Sequence, residues 1–141
     1  EGLTVLFTAH SLPEKSLKDG DPYSEQLLET SRLVAEAAGI KNWRFAFQSA
    51  GRTSEPWLGP DILSVLGDLA SKKQSAALVC VVGFVADHLE VLYDIDVEAK
   101  PHASGLGIHL ERIEMLNDDP VLIQGLANVA QRAFTSMSSA V

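Results

Sequence analysis

The sequence predicts an α/β domain: a four-stranded parallel sheet of the flavodoxin-like kind, with helices on both faces. Three observations lead there. Four short apolar stretches, at 3–9, 42–48, 76–82 and 108–112, alternate with stretches of helical period. Strands alternating with helices make βαβ units, whose crossovers are right-handed. The chain has 141 residues, of which 46% are hydrophobic, enough for one domain that buries about 70% of its unfolded surface.

Each element has a local reason. Leu3 to Ala9 reads as a buried strand. A helix follows from Asp21 or Ser24 to about Ala38, with Leu27, Leu28, Val34 and Ala38 near helical spacing and Gly39 as its stop. Asn42 to Gln48 alternates polar and apolar as a second strand, and Ser49 to Gly59 is a loop. Pro60-Asp61 opens a helix to about Lys72, with proline at the first helical position. Residues 76–82 are the most hydrophobic strand, suited to the sheet centre. Gly83 to Ala86 is a turn, and Asp87 is placed to cap the next helix. Pro101 to Gly107 reads as a loop, Ile108 to Arg112 as the fourth strand. Asp118 or Asp119 starts a last helix, and the tail from Thr135 to Val141 is expected to fray.

Composition excludes several functions. A net charge of −8 makes a nucleic-acid footprint improbable. The single cysteine, Cys80, lies in the third strand and reads as a buried small hydrophobe. It leaves no intrachain disulfide and no cysteine cluster for zinc or an iron–sulfur centre, which fits a reducing, cytoplasmic setting. No apolar run reaches the ~18 residues of a membrane span. The chain opens on Glu1-Gly2 without an initiator methionine, so further sequence upstream is expected.

Chemistry-bearing residues gather at strand ends, where open α/β sheets bind ligands. His10 closes the first strand, and Gly83 to Asp87 follows the third, so the two should be neighbours. Glu90, Asp94 and Glu98 recur every four residues, with no Lys or Arg between Asp87 and Lys100. On an α-helix such residues lie ~6 Å apart along the axis, a stripe ~12 Å long. The stripe is either a solvated acidic face or a path for cations or protons. Leu89, Val91, Leu92 and Ile95 would form the opposite, core-facing side. His88 is read as a turn residue, and His102 and His109 as loop and edge residues. Trp57 either anchors the 49–59 loop or lines a flat ligand's pocket. Neither GxGxxG, a Walker loop nor GxSxG occurs.

Several segments together carry a resemblance. Thr8-Ala-His-Ser-Leu-Pro13, Gly20-Asp-Pro-Tyr23, Phe47-Gln-Ser49, Pro56-Trp-Leu-Gly-Pro60, Gly83 to Asp94 and Leu116-Asn117 stand in the order seen in ferrochelatases. The chain resembles the second of that family's two Rossmann-like domains, in the bacterial and coproporphyrin-type form, across about Thr8 to Leu126. The resemblance implies insertion of Fe²⁺ into protoporphyrin IX or coproporphyrin III in haem biosynthesis, with no organic cofactor and no iron–sulfur cluster. By it, His10 and Glu90 are the catalytic pair; His10, Glu90, Asp94 and Glu98 handle metal; Trp57, Ser11 and Gln48 bind substrate. It also implies a first domain, outside this chain, forming the rest of the porphyrin cleft. A cobalt or nickel chelatase of the same fold, or a non-enzymatic carrier, is the alternative.

Overall fold

The computed structural model describes residues 2–17, 20–51 and 53–138. Four strands, β1 (Leu3–His10), β2 (Trp43–Gln48), β3 (Ala76–Val81) and β4 (His109–Arg112), form one parallel sheet in the order β2-β1-β3-β4. The chain builds outward from β1 to one side and then crosses to the other. The strand order therefore reverses between β1 and β3, where such sheets open a crevice at their carboxyl ends.

β1 is the deepest strand, buried from Thr4 to Ala9. β3 is interior as well, but its burial alternates, and Cys80 is only half-buried. The reason is an imbalance between the two faces. One face carries the larger core: Leu6 and Val79 meet Leu66 of α2 (Ile62–Ser71), Val91 of α3 (Leu89–Val91) and Ile95. On the other, Val5 and Phe7 are covered by α1 (Tyr23–Ala37) through Ala35, with Trp43 packed edge-on to Phe7 at 5.5 Å. Partial burial still pushes the Cys80 thiol up from its ordinary pKa.

Four expectations change. Pro60 does not open α2: Asp61 caps it, its carboxylate accepting from the Leu63 N–H at 2.9 Å. Asp87 does not cap α3 either. His88 has the extended backbone of a cap, and its Nδ1 accepts from the Glu90 N–H at 3.3 Å. Residues 101–107 are no loop. α3 runs unbroken into a π-helical segment, Leu92–Ala99, and then into α4 (Lys100–Gly105). Pro101 lacks an N–H where the hydrogen-bond pattern shifts from i→i+5 back to i→i+4, so the helix continues through it. Finally, α5 (Pro120–Ser138) keeps 135–138 helical, and 139–141 lie outside the described residues. None of its side chains is buried.

Candidate functional site

His10 ends β1 opposite Gln48 of β2. The loop after β3 reaches it through Gly83, whose N–H donates to the Thr8 carbonyl at 3.1 Å. A Cβ at position 83 would lie 2.4 Å from the Ala9 Cβ and 2.7 Å from its Cα, so glycine is what lets this loop cross the end of β1. Beyond it, Phe84 stacks on His88, with centroids 5.7 Å apart, and lies 6.5 Å from the His10 ring. The sequence gave no reason to single out Phe84.

Three atoms of His10 have partners. Its main-chain carbonyl accepts from the Tyr23 hydroxyl at 2.8 Å, and burial raises that phenol's pKa, which keeps it a donor. Nδ1 contacts the Ser11 carbonyl, which assigns the N–H to Nδ1 and leaves Nε2 as the free position. Nε2 faces the Glu90 carboxylate at 3.3 Å, and His88 Nδ1 lies 3.8 Å from the same oxygen. Two groups that both present lone pairs at this distance share either a proton or a cation. His10 and Glu90 are each partly open to solvent.

The other expected site residues divide. Asp94 accepts from the Ser49 hydroxyl, and Asp94 and Glu98 line a cavity of about 540 Å³ with Gln48, Ser49, Asp61 and Tyr93. Glu90 and His10 are not among its lining residues. Among the described residues no three His, Cys, Asp or Glu side chains converge as a cation cage. The four residues expected to handle metal therefore form stations rather than one centre. The π-helical pattern also replaces the α-helical spacing assumed for the stripe.

Ser11 and Gln48 do not lie open to a substrate in this conformation. Ser11 is fully buried; its hydroxyl donates to the Leu58 carbonyl at 2.8 Å and its N–H to the Gln48 carbonyl at 2.7 Å. It ties the end of β1 to the 56–60 loop. Gln48 is 1% exposed, and neither amide atom has a partner. Trp57 pairs with Pro13 in an isolated bridge, packs against Gly51, and donates from Nε1 to Thr53 Oγ1 at 2.8 Å. It anchors its loop and remains half-exposed.

A polar clamp holds the far side. Arg112 places Nε 3.0 and 3.1 Å from the two Asp96 oxygens and Nη2 3.5 Å from Asp87. Asp87 and Asn117 exchange two hydrogen bonds, at 2.8 and 2.9 Å. β4, the loop before α3 and the π-helical segment are thereby tied together.

The family model described as Ferrochelatase matches residues 1–134. A protein named ferrochelatase from Herpetosiphon aurantiacus is 51% identical over 127 residues, covering 90% of this chain and 42% of that protein. Coproporphyrin III ferrochelatases are similar too. That of a Geobacillus species is 49% identical over 130 residues (92% of this chain, 42% of that one), and that of Halalkalibacterium halodurans 51% over 129 (91% and 42%). The chain thus spans about two fifths of the length of these curated relatives. With a match running from the first residue almost to the last, the chain belongs to the ferrochelatase family.

Proposed function

We propose that this chain supplies one wall of a lyase-type metal chelatase that inserts Fe²⁺ into a porphyrin for haem biosynthesis. The observation that carries the reading is the His10–Glu90 pair, 3.3 Å apart at the crevice between β1 and β3. In this reading the chain is the second domain, with a strand order like the first four strands of flavodoxin-like sheets. A first domain facing it forms the cleft.

Metallation replaces two pyrrole N–H protons with the metal, so the site must accept protons and deliver a cation. His10 Nε2 is the acceptor or metal contact nearest the ring, and Glu90 takes or shares the proton. Fe²⁺ accepts imidazole and carboxylate ligands. A donor set with open positions suits a metal that must leave again. Asp94 and Glu98, on their own cavity, are the next station, passing cations inward or protons outward. Ser11 and Gln48 serve substrate binding indirectly, by fixing the loop and the cavity floor, and Trp57 contributes its half-exposed ring. Bending of the macrocycle by the cleft walls would bare the pyrrole lone pairs.

The names of the relatives favour coproporphyrin III or protoporphyrin as substrate. Among the described residues no helix is long and apolar enough to cross a membrane, and we place the reaction in the cytoplasm. No organic cofactor and no iron–sulfur cluster is part of the mechanism.

The test is anaerobic Fe²⁺ or Zn²⁺ insertion followed by porphyrin absorbance, in the longer protein that contains this chain and in its His10→Ala form. We expect the variant to lose at least ~100-fold in rate, the scale of a positioned acid–base group. Unchanged turnover would overturn the role of His10. Metal or porphyrin binding without insertion by the intact protein would favour a carrier.

A further inference from the structure

The last helix has a face with nothing on it. At 100° per residue, Leu122, Ile123, Leu126, Val129, Phe134 and Met137 fall within about 140° of one another on α5. Gln124, Asn128, Gln131 and Arg132 take the opposite side. A stripe of this width marks a core-facing helix. Yet Leu126 is 58% exposed and Phe134 74%.

We infer that the apolar face of α5 is the seat of the domain that makes up the remaining length of the chain's relatives. The inference rests on the chelatase reading, and three observations favour this occupant. The chain covers 42% of the Herpetosiphon protein, so more than half of that protein's length is available to fill the face. The face is also continuous with the site. Asn117, whose N–H donates to the Val85 carbonyl at 2.9 Å, stands at the rim three residues before α5. A groove of about 350 Å³ runs from Leu116 along Val121, Leu122, Leu126 and Val129. Val85 and Leu89, on the loop and helix beside His10, are bare as well. A domain seated on α5 would therefore also cover the open side of His10 and Glu90.

Area weighs against the other occupants. A helix of 19 residues is ~28 Å long, and one face ~10 Å across offers on the order of 300 Å². A stable interface takes about 800 Å² from each partner. Two copies paired through α5 alone fall short of that, whereas a domain spanning α5 and the rim does not. A membrane surface fits poorly, because such helices carry Lys and Arg on the polar face and α5 has Arg132 alone.

The test grafts this chain into full-length Herpetosiphon ferrochelatase in place of its matching segment, and reads amide hydrogen exchange of 120–138 there and in the chain alone. We expect exchange in the graft to slow by more than about tenfold. The pair Leu126→Asp with Phe134→Asp should return it to the rate in the chain alone while leaving β1 and β3 protected. Equal exchange in graft and chain overturns the inference. So does a dimer of the chain alone, seen by analytical ultracentrifugation, that already protects α5. The unaltered Herpetosiphon protein provides an arm without a graft: fast exchange in its matching helix is likewise contrary. No arm uses metal or porphyrin, so failure of metallation would sink the chelatase reading and leave this result standing.

Discussion

At the scale of single residues, His10 shows how a side chain is aimed. Its carbonyl is held by Tyr23, its Nδ1 by the Ser11 carbonyl, and only Nε2 points at Glu90. Tyr23→Phe removes the first hold and leaves a partly buried carbonyl without its donor. The expected cost is about 1 kcal/mol, or ~4 °C in Tm for a domain of this size, read in a circular-dichroism melt. The pH dependence has a definite sign. Burial raises the Tyr23 pKa, so its stabilising contribution is complete below the ordinary tyrosine value of about 10 and is lost as pH rises through the higher folded value. Between those two values the wild-type Tm should fall more steeply than that of Tyr23→Phe. Parallel pH curves would remove Tyr23 from the hold on His10. His10 itself was legible from sequence because it stands where an apolar strand stops. Ser11 and Phe84 were not: a small hydroxyl anchoring a loop and a ring stacked beside a histidine leave no pattern along the chain.

At the scale of elements, the acidic helix explains its own misreading. Glu90, Asp94 and Glu98 are spaced by four, and so are Val91, Ile95, Ala99 and Ala103, which are all buried. On an α-helix each step of four drifts by ~40°, so three steps would carry the buried row ~120° around the axis. A run of i→i+5 bonds widens the turn and keeps both rows straight. Two rows of strict period four were the sequence signature of the π-helical segment, and an assumed period of 3.6 hid it. The same geometry separates neighbours that sequence placed together in the core: Ile95 is 1% exposed and Leu89 76%. Ile95→Ala should cost ~2–5 kcal/mol, while Leu89→Ala should stay within about 0.5 kcal/mol, both by urea unfolding. Similar costs for the two would overturn the assigned faces. Gly83→Ala should also destabilise, by ~1–3 kcal/mol, because its methyl would meet the Ala9 backbone. It should slow metallation too, since the loop carrying Phe84 and His88 would have to lift from β1. A variant as stable as wild type would show that the loop has room to move.

Across the whole molecule, the alternation of strands and helices was enough to read the parallel sheet, because each crossover must bury its helix against it. It was not enough to tell which helix stays bare. An amphipathic pattern reports that a face suits burial, not what buries it, and α5 is as amphipathic as the core-facing helices. The structure supplies the missing fact: α5 has no buried side chain, so the sheet and its two cores close without it. Ending the chain at Asp119 should therefore leave Tm within ~2 °C of the full 141 residues. Trypsin should cut early at Arg132, on the exposed part of that helix, while β1 and β3 resist, since proteolysis follows the free energy of local opening. A fall of more than ~10 °C on truncation would mean several kcal/mol of packing, and α5 would then have to lie on the sheet. A stable truncated form would instead fix the sheet, the His10–Glu90 pair and the acidic row as one self-sufficient unit.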